Sequence, residues 1–156
     1  NSMMSISLRK IDDTNRASVL ALHVAPPQEQ FVGTVGAAIK DAEAYPHANP
    51  WYRAIYAADV PVGFVMISWN VIPQPPSIIG PWFLWKLLID SRHQRTGYGR
   101  ATVNLIAKIV RAEGGTELLT SYVEGEGEPW PFYKRLGFQQ TGERDDNNEV
   151  IIVLKL

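Results

Sequence analysis

The sequence predicts an α/β fold built around a mixed sheet. Three observations predict it. Strand-like and helix-like patterns alternate from end to end. Residues 87–99 pass from an apolar run into a short polar turn with two glycines, and then into an amphipathic helical pattern. Beyond the last helical pattern, two further strand patterns close the chain.

Each element has a local reason. Ile6 and Leu8 alternate with polar residues, which predicts a first strand over 5–9. Asp12, Asp13 and Thr14 are cap-type residues ahead of a short apolar helix over 15–22, and Ala25-Pro26-Pro27 breaks it. Residues 28–31 read as a further helical turn or a loop. Gly33-Thr34 precedes a second helix with Val35, Ala38, Ile39 and Ala42 on one side, ended by Pro46 and Pro50. Residues 51–58 and 62–69 read as a hairpin around Asp59-Val60-Pro61. Pro73, Pro75 and Pro76 make 71–80 a surface loop. Residues 82–89 are expected to form a long strand buried on both faces.

The helix over 100–113 places Ala101, Leu105, Ile106, Ile109 and Val110 mostly on one face, with Gly114-Gly115 as its cap. Residues 117–122 read as a strand and 124–128 as an acidic, glycine-rich connection. Pro129 or Pro131 suits the first turn of a short helix that Gly137 ends. Residues 138–143 and 149–155 make the closing pair, which brings the strands to seven.

Composition narrows the function. The 156 residues suggest one domain over 3–156, and Asn1-Ser2 ahead of Met3-Met4 reads as an expression scar. A hydrophobic content of 46% supports a core, and a net charge of −1 offers no broad basic field for nucleic acid or an anionic membrane. The absence of cysteine removes disulfides, thiolate metal sites and a cysteine nucleophile; three scattered histidines argue against zinc. No apolar run reaches the ~18 residues of a membrane span. The beginning of the chain lacks a secretion pattern, so the expectation is a cytoplasmic protein without a metal.

The stretch 87–99 carries the chemistry. A helix start following a glycine turn exposes backbone N–H groups and the positive end of the helix dipole, where a pyrophosphate docks. Gly97 and Gly99 keep the approach open, and Arg95 and Arg100 add charge. A Walker loop is absent, and Thr102 stands where a dinucleotide fingerprint needs its third glycine. The glycines by themselves suit an ordinary strand-to-helix connection equally well.

The whole stretch says more. Gln94-Arg95-Thr96-Gly97-Tyr98-Gly99 resembles the Gln/Arg-x-x-Gly-x-Gly/Ala signature of the GNAT superfamily of N-acetyltransferases. Leu87-Leu88-Ile89-Asp90 resembles the strand that leads into it. Phe132-Tyr133-Lys134-Arg135-Leu136-Gly137-Phe138 is similar to the family's last helix and turn. The resemblance implies a twisted sheet with helices on both faces, whose splayed fourth and fifth strands hold acetyl-CoA. It assigns the pantetheine contacts to the backbone of Leu87, Leu88 and Ile89. The pyrophosphate falls to Gln94, Arg95, Thr96, Gly97, Tyr98, Gly99 and Arg100. Tyr133 becomes the general acid toward the CoA sulfur. The same tyrosine, read without the family, is an aromatic anchor for its helix. Glu126 stands where the family often places an asparagine on the pantetheine arm; an ionised carboxylate accepts hydrogen bonds and cannot donate them.

Within the superfamily, Pro27-Gln28-Glu29-Gln30-Phe31, Val62-Gly63-Phe64-Val65-Met66 and Phe83-Leu84-Trp85-Lys86 resemble the bacterial spermine/spermidine (diamine) acetyltransferase branch. Ser68-Trp69-Asn70 departs from the acidic residues that the branch tends to have there. The implied acceptor is a primary amine on a small molecule, with a polyamine as first guess. Glu29, Glu43 and Glu124 are candidate carboxylates for it, and each also suits a solvated surface. His23 is a weak candidate base. Trp51, Trp69, Trp82, Trp85 and Trp130 divide between core and amine pocket, with Trp85 the favoured wall. A protein or peptide acetyltransferase, or a non-catalytic acyl-CoA sensor, are the competing readings. Homodimer formation stays open.

Overall fold

The computed structural model describes residues 5–25 and 33–156. Seven strands form one sheet in the order β1-β2-β3-β4-β5-β7-β6. They are β1 (Ile6–Arg9), β2 (Pro50–Ala57), β3 (Val60–Ser68), β4 (Phe83–Ile89), β5 (Glu117–Tyr122), β6 (Gln139–Arg144) and β7 (Val150–Lys155). The helices are α1 (Arg16–Leu20), α2 (Val35–Ala44), α3 (Tyr98–Ala112) and α4 (Trp130–Arg135). All neighbouring strands are antiparallel except β4 and β5. A parallel pair needs a crossover, and α3 supplies it.

The sheet has helices on both faces. On one, α3 and α4 cover Ile55, Val65, Ile67, Leu84, Leu118 and Ile152. On the other, α1 and α2 cover Ala54, Phe64, Met66 and Leu88. Helix ends follow the sequence signals. Thr34 Oγ1 accepts from the Ala37 N–H at 3.1 Å and caps α2. Gly114 (φ 89°) ends α3, with the Gly115 N–H on the Val110 carbonyl at 2.8 Å. Gly137 (φ 102°) ends α4. Among the described residues no helix is long and apolar enough to cross a membrane.

Three expectations are corrected. The strand buried on both faces is β3, not β4. In β4 only Leu84 and Leu88 are fully buried, because β5 pairs with it only at Phe83 and Leu84. The buried stripe of α3 is Thr102, Val103, Ile106, Ala107 and Val110; Ala101, Leu105 and Ile109 flank it. Thr102 tolerates that position because its hydroxyl donates to the Tyr98 carbonyl at 2.8 Å. Finally, α3 begins at Tyr98, so Gly99 lies inside the helix and only Gly97 (φ 87°) uses glycine's backbone freedom.

Candidate active site

The split between β4 and β5 creates the site. Their pairing is confined to Phe83–Leu119 and Leu84–Thr120. Opposite β3, Met66 pairs with Lys86 and Ile67 with Leu84, so Trp85 is an extra residue. A bulge bends the strand that carries it and increases its twist. This one falls where the β5 pairing stops, and residues 85–89 run on beside β3 alone. A cleft of about 1520 Å³ passes through the opening and joins the two faces of the sheet.

At the α3 end, Gln94, Arg95, Thr96, Gly97, Tyr98, Gly99 and Arg100 line the cleft together. Arg95 (φ 62°) and Gly97 (φ 87°) both have positive φ in the turn that leads into α3. No side chain caps the first turn of α3. A Cβ on Gly99 would meet Phe132 at 3.4 Å and Ile89 at 3.8 Å, so the glycine leaves a gap between two cleft-lining side chains.

Asp90 fastens this turn from below. It is fully buried and accepts from the His23 N–H at 3.1 Å, the Arg92 N–H at 3.2 Å and Arg92 Nε at 2.8 Å. Burial alone would raise its pKa, but these hydrogen bonds outweigh it and hold the pKa below the ordinary carboxylate value. Gln94 Nε2 donates to the Ile89 carbonyl at 3.0 Å and ties the turn to the end of β4.

Tyr133 stands at the split. It is 8% exposed and set edge-on to Phe132 and Phe138 at 5.0 and 5.1 Å between ring centres. Burial pushes its pKa up to about 12, moderated by a hydrogen bond with Thr120. Thr120 donates its single hydroxyl proton to the Leu84 carbonyl at 2.6 Å. The raised pKa keeps the Tyr133 hydroxyl protonated at neutral pH.

The far end of the cleft differs in character. Trp85 and Tyr45 face each other there, 6.3 Å between ring centres. Lys86 pairs with Asp41 at 3.4 Å. Glu149 lies half-buried and accepts from Ser121 Oγ at 2.9 Å. Its pKa is raised by burial first; the Ser121 hydrogen bond comes second and lowers it, Asp145 raises it and Lys86 lowers it. Ser77, Ile78 and Ile79 of the proline-rich loop form a wall, and the Asp146 N–H donates to the Pro76 carbonyl at 3.2 Å to join that loop to the β6–β7 turn.

Other expected positions fall elsewhere. Leu87 and Ile89 line the cleft, whereas the Leu88 side chain is buried under α1 and α2. Gly127 and Glu128 line it, and Glu126 does not. Glu124 sits in a separate shallow depression, paired with Arg144 at 2.7 Å. Glu43 is exposed outside the lining; His23 is held through its backbone by Asp90. Glu29 lies outside the described residues. Of the tryptophans, Trp51, Trp69 and Trp82 pack on one another, Trp130 stacks on Tyr122, and Trp85 faces the cleft. Thr120, Ser121 and Glu149 escaped the sequence reading. No local pattern marks them, since 28 residues separate Ser121 from Glu149. Among the described residues no cluster of His, Cys, Asp or Glu is arranged to hold a metal.

Comparison with known proteins places this fold in a family. The sequence profile of the acetyltransferase (GNAT) family fits residues 35–138. The chain belongs to the GNAT family. This acetyltransferase is 30% identical over 154 residues to the spermine/spermidine N(1)-acetyltransferase of Bacillus subtilis (strain 168), covering 98% of this chain and 100% of that one. It is 29% identical over 154 residues to the probable spermine N(1)-acetyltransferase of Bacillus subtilis subsp. natto (strain BEST195), with the same coverage. Its fold is similar to that of the PaiA N-acetyltransferase from Thermoplasma acidophilum, solved in complex with coenzyme A. The TM-score is 0.66 at 15% identity, over 97% of this chain and 99% of that one. An acetyltransferase from Thermus thermophilus gives a TM-score of 0.69 at 19% identity, over 97% of each chain.

Proposed function

We propose that this acetyltransferase moves an acetyl group from acetyl-CoA to a primary amine of a small molecule, with a linear polyamine as the first acceptor to test. One observation carries the reading: a single cleft joins an amide cradle on one face of the sheet to an acidic, aromatic chamber on the other. The cradle suits a diphosphate, because uncapped N–H groups and the helix dipole favour negative charge. Gln94 to Arg100 are assigned to it. The backbone of β4 beyond Trp85, freed from β5, is assigned to the pantetheine arm through Leu87, Leu88 and Ile89. Acetyl-CoA supplies the acetyl thioester. Tyr133 keeps its proton on Oη at neutral pH and is the donor available to a leaving thiolate. The chamber suits a cationic chain: Asp41 and Glu149 offer charge, while Trp85 and Tyr45 offer ring faces.

The loop over 71–80 favours a small acceptor over a peptide. Its hydrogen bond to the β6–β7 turn closes the chamber where an extended chain needs an open groove. The test is free-thiol release from acetyl-CoA with spermidine, with a simple diamine and with short peptides, followed by mass spectrometry. Amine-dependent thiol release and an acetylated polyamine are expected. Acetylated peptides with untouched amines would overturn the reading.

A further inference from the structure

The end of the β4–β5 pairing carries two consecutive hydroxyl residues, Thr120 and Ser121, and alternation sends them to opposite faces of the sheet. Leu118 and Tyr122, which share a face with Thr120, pack in the core under α3 and α4. Leu119, which shares a face with Ser121, packs with Ile151, Val153, Ile79 and Phe83 on the other side. Thr120 bonds Tyr133; Ser121 bonds Glu149 at 2.9 Å. All four residues line the one cleft. Adjacent residues of β5 thus contact a phenol on one face of the split and a carboxylate on the other.

We propose that Glu149, oriented by Ser121, is the carboxylate that receives the acceptor's ammonium group and takes its proton. This rests on the acceptor reading above and assigns its base. An N–H bond of the ammonium breaks and an O–H bond forms at the Glu149 carboxylate. The nitrogen keeps the electron pair and becomes a neutral nucleophile. Tyr133 holds a proton on the other side of the split, so acid and base lie on opposite faces of β5 within one cleft.

The surroundings of Glu149 fit the task. The half-buried carboxylate is a stronger base than an exposed one, and its raised pKa follows from that burial. Asp145, on the β6–β7 turn, raises it further, although that carboxylate is engaged by the Asn147 and Glu149 N–H groups, both at 2.9 Å. The Ser121 hydrogen bond opposes the rise, as does Lys86 on β4, which is shared with Asp41 of α2. Asp146 and His47 line the same cleft. By contrast, Glu124 and Glu126 stand outside it, and Glu128 spends an oxygen on the Gly125 N–H at 3.0 Å.

The test compares Glu149→Gln with the parent protein using two acceptors. Spermidine is cationic at neutral pH, whereas 2,2,2-trifluoroethylamine is largely uncharged there. Glutamine keeps the size and the acceptor oxygen for Ser121. With spermidine, kcat/KM should fall by about 10²–10⁴-fold and lose its acidic limb. With trifluoroethylamine it should change by less than about threefold. Coenzyme A affinity by calorimetry should stay unchanged, which shows the fold and cradle intact. Equal losses with both amines, or an unchanged spermidine profile, would overturn the assignment of Glu149 alone. A parent protein inert toward both amines would overturn the acceptor reading and this assignment with it.

Discussion

Tyr133 and Thr120 form the smallest unit whose behaviour decides between a packed aromatic and an acid. The ring of Tyr133 packs against Phe132 and Phe138, and Tyr133→Phe retains that packing. Only the hydroxyl is lost. We expect kcat to fall by about 10²–10⁴-fold with acetyl-CoA affinity unchanged. Because burial pushes the phenol to about 12, the parent rate should show no alkaline fall in the ordinary tyrosine range. Full activity in Tyr133→Phe at every pH would reduce Tyr133 to an anchor. Thr120→Val complements this test. It removes the hydroxyl that lowers the Tyr133 pKa and donates to the Leu84 carbonyl, so kcat should drop about tenfold at constant KM, with recovery in Thr120→Ser. The tyrosine was legible in the sequence because a seven-residue block surrounds it. Thr120 was not, because a threonine in a strand looks like any β-branched residue.

The turn and helix after β4 show two glycines with different duties. Gly97 has φ 87° and terminates the turn as the residue before α3. An alanine there must adopt a left-handed conformation that costs about 1–2 kcal/mol. Gly99 is helical, and its role is spatial: a Cβ fits at 3.4 Å from Phe132, but branches beyond it enter the cleft. Gly97→Ala is therefore expected to lower stability in urea and coenzyme A affinity together. Gly99→Val should lose coenzyme A affinity while staying folded, and unchanged calorimetric binding in a folded Gly99→Val protein would sink the placement of the diphosphate. The sequence pattern foretold strand, turn and helix here within two residues. It did not foretell which glycine served conformation, since that depends on where the first helical turn closes.

Stability as a function of pH belongs to the whole molecule, and two carboxylates pull it in opposite directions. Asp90 has a lowered pKa, so its contribution is present above the ordinary carboxylate range and lost as pH falls through the lowered value. Glu149 has a raised pKa, so its contribution is present below the ordinary value and lost as pH rises through the raised one. Glu149 sits half-buried, and burial penalises its charged form, a cost that an acceptor amine would offset. Glu149→Gln should accordingly raise Tm at neutral pH by a small amount and leave it nearly unchanged in acid. A lower Tm at neutral pH would show that the native surroundings favour the carboxylate rather than penalise it.

By itself the sequence determined the α/β class, the order of all the strands along the chain and the glycine turn that leads into α3. It also marked Tyr133 as the residue of its helix most worth testing. These follow from periodicity, capping and contiguous blocks, which are properties of neighbours along the chain. Only the tertiary structure decided the rest. The Trp85 bulge, the end of β5 pairing at Thr120, the exclusion of Glu124 and Glu126 and the inclusion of Glu149 all depend on contacts between distant segments. A carboxylate at a strand entrance looks solvated in sequence. It becomes a half-buried base only when β5, β7, the proline-rich loop and Lys86 close around it and take away its water.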